Sequence, residues 1–201
     1  VQDYLKTIYK LEEEGDTVST TRIAKDLNIS GASVTGMLKR LAAMSLVNYN
    51  SYKGVNLTES GKKFALEIIR NHRIIERFLK DILKFPLDKV HDEACRLEHH
   101  VSEEFINRID DMMNHPHFSP IGNPIPSKEG DLPENDSEPL SKFEPGEKIK
   151  IIRLADTDHE MLAYFEKMGL VPGVRLKITE KAPFNGPITI VFNKETKIIG
   201  N

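Results

Sequence analysis

Residues 87–104, LDKVHDEACRLEHHVSEE, constrain the fold more than any other stretch. At 100° per residue counted from His91, Cys95, Glu98 and His99 fall at about 40°, 340° and 80°, so four metal-competent side chains share a sector of roughly 100°. Val90, Ala94, Leu97, Val101 and Phe105 form a separate apolar stripe between about 240° and 320°, and His100 points away. The spacing predicts one helix over 87–104, with its stripe in a core and its polar face turned to a cation. The bland alternative is a solvated face rich in His and Glu. Two facts weigh against it: the single cysteine of the chain is Cys95, inside the sector, and His72 and Glu76 stand one turn apart on the preceding helical stretch, within hairpin reach of His91.

Upstream, DYLKTIYKLEEE (3–14) repeats apolar or aromatic residues at 4, 5, 8, 9 and 11 and predicts a helix ending at Gly15. Asp3 lies in its first turn, where a carboxylate also suits the helix dipole. Ser19-Thr20-Thr21 opens a short helix with Ile23, Ala24 and Leu27 inward; Ser30 caps the next, with Val34, Leu38 and Leu41 on one side. This is helix-turn-helix spacing. Taking Val34 as 0°, Ser33, Gly36, Lys39 and Arg40 lie between about 140° and 260°, opposite the core stripe. Small residues let such a face approach a major groove, hydroxyls bond phosphates or base edges, and cations neutralise phosphate. The candidate DNA contacts are Ser30, Ala32, Ser33, Thr35, Gly36, Lys39 and Arg40. LVNYNSYKGVNLTESGKK then alternates around Lys53-Gly54, two strands and a turn, which completes a winged helix with Tyr52 and Lys53 at the tip to meet phosphates.

Phe64–Leu83 reads as a long helix with more apolar surface than one partner helix covers. With Phe105, Ile106 and Ile109 it predicts packing across a two-fold axis, hence a homodimer on a palindromic operator. Residues 115–145 hold most of the prolines and no period, a linker that is ordered at first and flexible around 129–139; His115 and His117 read as exposed loop histidines. From Glu147 short strands alternate with Gly and Pro turns and one helix, DHEMLAYFEKMGL, suggesting a compact SH3-like barrel. The expected class is therefore α+β multidomain: a winged helix-turn-helix at 1–63, a helical metal-binding and dimerisation domain at 64–126, a linker at 127–145 and an SH3-like domain at 146–201.

Charge adds little. Through residue 63 nine basic residues face seven acidic ones, and the remainder carries nineteen against twenty-four, so a mildly basic front precedes an acidic body. No apolar run is long enough for a membrane span, and one cysteine excludes an internal disulfide framework, so a reduced, cytoplasmic setting is expected.

DYLKTIY, RNHRIIERFL, HDEACRLEHHVS and SPIGNPIP (119–126) resemble, in this order and over nearly the whole chain, the metal-dependent repressors of the diphtheria-toxin-repressor family, which includes iron-dependent and manganese-dependent regulators. The resemblance implies a primary, activating site of Asp3, Cys95, Glu98 and His99. It implies an ancillary site of His72, Glu76 and His91 plus a group from the C-terminal domain, for which Asp156 fits best and Asp158 or His159 are alternatives. Iron-type members carry Met where Asp3 stands but share Cys95 and the SPIGNPIP-like loop, so the chain is a hybrid: Mn(II) or Fe(II) is the expected corepressor, with Zn(II) or Co(II) as substitutes in vitro. Some manganese-type members carry Cys-Pro-His in that loop; SPIGNPIP has neither group, so no ligand is expected there. Asp3 belongs to the DNA-binding domain and its partners to the dimer domain, so a shared cation sets the separation of two recognition helices and represses promoters of metal-uptake and homeostasis genes. A rival reading is a winged-helix factor that answers to a small organic ligand. An enzyme is not expected, because HExxH is absent and nothing supplies an oxyanion hole.

Overall fold

The structure, a computed structural model, describes residues 1–15, 17–51, 53–134, 137–155 and 158–200. They divide into two compact units, Val1–His72 with Pro126–Leu132, and Arg73–Ile125 with the C-terminal segment from Pro133.

The first unit begins with α1 (Gln2–Glu13), whose Leu5, Ile8, Tyr9 and Leu11 are buried. α2 (Thr20–Asp26) and α3 (Gly31–Ala43) are each opened by a serine: the Ser19 side chain accepts from Arg22 N at 3.1 Å and that of Ser30 from Ser33 N at 3.2 Å. Such caps satisfy amides that have no partner inside the helix. β1 (Val47–Asn50) and β2 (Gly54–Leu57) pair antiparallel and form the wing. Gly54 is required at its turn, for its φ is +91° and a Cβ there would sit 2.7 Å from the Val18 carbonyl oxygen. Tyr52 lies outside the described residues. Residues 126–132, within the stretch read as a linker, belong to this unit; Ser127 Oγ accepts from the amides of Glu129 and Asp131, closing a turn whose Gly130 approaches Leu66.

The long α4 runs unbroken from Glu59 to Asp81. In the second unit its last turns pack Ile74, Ile75 and Leu79 against α5 (Leu87–Leu97) and α6 (Glu103–Met112). The single helix expected over 87–104 is thus two. Ser102 is the reason: its side chain accepts from Phe105 N, and Glu103 and Glu104 favour a helix start directly after it. On the wheel that run of polar residues reads as one more solvated turn. Phe105 is pushed to the margin of the core, edge-on to Phe78 at 6.2 Å.

The SPIGNPIP loop is tightly built. Phe118 bridges Pro124, Ser119 N donates to Asn123 O at 2.8 Å, and Leu154 N donates to Ile121 O at 2.9 Å. The rest of the unit is an antiparallel sheet in the order β3 (Lys148–Lys150), β4 (Arg175–Lys181), β5 (Ile188–Phe192) and β6 (Glu195–Ile199), with α7 (His159–Met168) between β3 and β4. Alternate residues Leu176, Ile178, Ile188, Ile190 and Phe192 turn inward to make its SH3-like core. Leu162 of α7 packs instead with Leu87, Ile121 and Leu154, so this domain docks on α5 through a small core of its own.

Candidate metal centre and DNA interface

Packing of α5 on α4 follows from its stripe: Val90 and Ala94 are buried beside Ile75 and Leu79, which turns His91 and Cys95 along the seam. His91 Nδ1 lies 3.3 Å from Glu76 Oε1, and its Nε2 lies 3.6 Å from Cys95 Sγ. One imidazole is therefore held between a carboxylate and a thiol. His72, also buried, stands one turn before Glu76 on α4, so both project along the same helix face. Glu98 keeps helical dihedrals as the last residue of α5's C-terminal turn, and its carboxylate lies 3.5 Å from His99 Nε2.

Burial gives these groups their meaning. The side chains of Glu76 and Glu98 are 5% and 2% exposed. A carboxylate so removed from water stays ionised only against cationic or hydrogen-bonding partners. Imidazole nitrogens, carboxylate oxygens and one thiolate are together a donor set for a first-row divalent ion, and these residues fit one. The structure sets Cys95 against His91, which the resemblance assigns to the ancillary site, and Glu98 against His99, both assigned to the primary one.

The remaining candidates are placed as follows. Asp3 is exposed in the first turn of α1. Asp156 lies outside the described residues. Asp158 serves as N-cap of α7, accepting from Glu160 N at 2.8 Å and Met161 N at 3.2 Å. His159 is carried to α5, its Nδ1 2.7 Å from the Asp88 carbonyl oxygen and its Nε2 3.9 Å from Asp92. A carbonyl only accepts, so Nδ1 is the donor in this contact and Nε2 is left facing Asp92. His115 is exposed and pairs with buried Asp110 at 3.1 Å.

On α3, Ser30, Ala32, Ser33, Gly36, Lys39 and Arg40 are exposed, as is Lys53 in the wing, while Thr35 is half-buried. The hydroxyls of Ser30 and Ser33 share a 2.8 Å hydrogen bond, and that of Thr35 donates to Gly31 O at 2.9 Å. A Cβ at Gly36 would meet nothing within 4 Å, so the outer face of the helix is open to a partner. The wing is tied to the first helix by Leu57 N, which donates to Glu12 Oε1 at 2.8 Å. Nothing near Glu12 in the sequence announces this, and the same holds for Glu166, which binds Leu87 N at 2.7 Å across 79 positions.

A winged helix joined to a helical domain whose seam gathers carboxylate, imidazole and thiol donors defines a metal-responsive DNA-binding regulator. The iron-dependent repressor N-terminal DNA-binding domain matches residues 1–55, the iron-dependent repressor metal-binding and dimerisation domain matches 58–127, and the FeoA domain matches 138–200. The chain belongs to the iron-dependent repressor family. It is 35% identical to the iron-dependent repressor IdeR of Mycobacterium tuberculosis (strain H37Rv) over 201 residues, covering 94% of this chain and 86% of that protein. Against the diphtheria toxin repressor of Corynebacterium diphtheriae the identity is 43% over 123 residues, 61% of this chain and 54% of that protein. A solved manganese-dependent transcriptional repressor in complex with manganese superposes with a TM-score of 0.88 at 34% identity, covering 99% of this chain and 94% of that one. No helix among the described residues is long and apolar enough to cross a membrane.

Proposed function

We propose that this chain is a cytoplasmic, homodimeric repressor with no catalytic activity that takes Mn(II) or Fe(II) as corepressor and binds palindromic operators of metal-uptake and homeostasis genes. The observation that carries the reading is the pair of buried carboxylates, Glu76 and Glu98, each beside an imidazole, with the only thiol of the chain beside His91. The proposed primary ligands are Asp3, Cys95, Glu98 and His99; the proposed ancillary ligands are His72, Glu76 and His91 with a group from 156–159. His159, anchored to α5 through Nδ1 with its Nε2 left toward Asp92, suits that last place.

The residues divide the work. Ser30, Ala32, Ser33, Thr35, Gly36, Lys39, Arg40 and Lys53 form the DNA face, with Gly36 keeping α3 close to the bases and the cations neutralising phosphate. Asp3 brings the DNA-binding domain into a ligand set otherwise supplied by the helical domain, so the arrangement that binds metal best is also the one that binds DNA. Two copies must present their α3 helices about 34 Å apart, one turn of duplex, which makes affinity sensitive to that arrangement. A linkage of about 3 kcal/mol changes operator affinity on the order of 100-fold. The bound ion supplies charge neutralisation of the buried carboxylates.

The experiment is anaerobic Mn(II) and Fe(II) titration calorimetry on the wild type and on Glu98→Ala, His99→Ala and Glu76→Ala. Two sites in the wild type are expected, with one lost in each of the first two variants and the other in the third. Unchanged stoichiometry in all three overturns the ligand assignment.

A further inference from the structure

α5 carries His91 and Cys95, yet it starts without a cap of its own. Its N-cap position is Pro86, whose side chain makes no capping hydrogen bond. The missing acceptor comes from the C-terminal domain. Glu166 of α7 accepts from Leu87 N at 2.7 Å through one carboxylate oxygen and from Lys80 Nζ through the other. Lys80 Nζ also donates to Phe85 O at 3.2 Å, pinning the turn between α4 and α5, where Lys84 takes a φ of 59°. At the far end of α7, His159 grips the Asp88 carbonyl, and Leu87, Ile121, Leu154 and Leu162 fill the space between.

The register gives this clamp a consequence for metal binding. Leu87, His91 and Cys95 are spaced i, i+4, i+8 along one face, so the contact that fixes the Leu87 amide also fixes the start of the row that ends in imidazole and thiol. A carboxylate at a helix N-terminus adds a favourable interaction with the helix dipole. Desolvation opposes ionisation of Glu166, but Lys80 and the Leu87 amide outweigh it and hold its carboxyl below the usual range.

We propose that Glu166 is a positioning residue for the metal-ligand helix: it supplies from the C-terminal domain the N-terminal cap that α5 lacks, so that docking of α7 and metal binding at His91 are coupled. This rests on the metal reading above. Coupling of this kind is reciprocal, so an ion bound at His91 also tightens the docking of α7.

The test uses the full chain as wild type, Glu166→Ala, the near-isosteric Glu166→Gln, and Lys167→Ala as an exposed control on the same helix. In metal-free protein, amide exchange over 87–90 becomes about 5- to 10-fold faster in Glu166→Ala, less so in Glu166→Gln, and is unchanged in the control. In Mn(II) titration the site that Glu76→Ala removes weakens about tenfold, or about 1.4 kcal/mol, while the other keeps its affinity. Mn(II) slows exchange in α7 of the wild type more than in Glu166→Ala, where only the ligand from 156–159 ties α7 to the ion, a difference that a merely structural contact would not give. Unchanged exchange over 87–90 overturns the cap, and faster exchange with unaltered Mn(II) affinities overturns the coupling. Should Glu166→Ala fail to fold, Glu166→Gln decides both points. A wild type that binds neither Mn(II) nor Fe(II) overturns the metal reading instead, and the exchange measurement still decides the cap.

Discussion

Gly122→Ala probes how the SPIGNPIP loop holds the C-terminal domain, and its cost follows from what surrounds Gly122. Gly122 has a φ of +92°, and a Cβ built there lies 2.0 Å from the Ile152 carbonyl oxygen and 2.9 Å from Arg153 Cα. An ordinary C···O approach is about 3.3 Å, so the two backbones must part by roughly 1.3 Å, and no flexible side chain can absorb the shift. That movement breaks the 2.9 Å hydrogen bond from Leu154 N to Ile121 O, worth about 1 kcal/mol. Left-handed backbone costs an alanine about 1–2 kcal/mol more, and separating the Ile121, Leu154 and Leu162 side chains adds to it. The expected destabilisation is about 3 kcal/mol, which for a chain of this size lowers Tm by roughly 6–12 °C. Gly173→Ala is the control, since its φ is +99° but a Cβ there meets nothing within 4 Å. Scanning calorimetry and urea titration of both variants isolate the clash. If Gly122→Ala is within about 0.5 kcal/mol of Gly173→Ala, the close approach is not what holds this loop in place.

Gly36→Ala is expected to move stability and function in opposite directions: replacing a mid-helix glycine at an open position stabilises the fold by about 0.5–1 kcal/mol, while operator affinity falls because the added methyl holds α3 away from the bases. Equal anisotropy curves for the two proteins would remove α3's outer face from the interface. For Glu166 the pH dependence has a definite sign. Its folded carboxyl is held below the usual range, so its contribution is present at neutral pH and is lost as acid protonates it; between about pH 6 and about pH 3 the wild type loses more stability than Glu166→Gln. Parallel stability curves over that range contradict this. Asp3→Met exchanges a hard oxygen donor for a soft thioether and is expected to shift the metal response from Mn(II) toward Fe(II), read as operator binding across a panel of divalent ions. Identical metal profiles count against the hard-ligand argument.

What the sequence disclosed and what it withheld have separate physical causes. Local signals survived intact: Ser19 and Ser30 cap as their spacing predicts, the alternating residues around Lys53-Gly54 form a hairpin, and the i, i+4 relation of His91 and Cys95 becomes a direct contact. The break at Ser102 is not legible in the sequence, because a serine followed by two glutamates looks the same on a helical wheel whether it continues one helix or begins another. Only the hydrogen bond from the Phe105 amide separates the two cases. The order of the SPIGNPIP loop was partly visible in its turn residues, but the need for glycine at 122 depends on Ile152, thirty positions away. Glu12 and Glu166 carried no local sign at all. Each is an ordinary polar residue on a helix, and its partner amide is brought near only by the tertiary fold.

Divalent metal and operator are proposed to bind this repressor as one linked event. Anaerobic fluorescence anisotropy with a palindromic operator fragment, with Mn(II) or Fe(II) and then after excess chelator, measures this directly. Operator affinity is expected to rise on the order of 100-fold with metal, to return to its starting value on chelation, and not to respond in Glu98→Ala or His99→Ala. An operator affinity that is the same with metal and with chelator would contradict it.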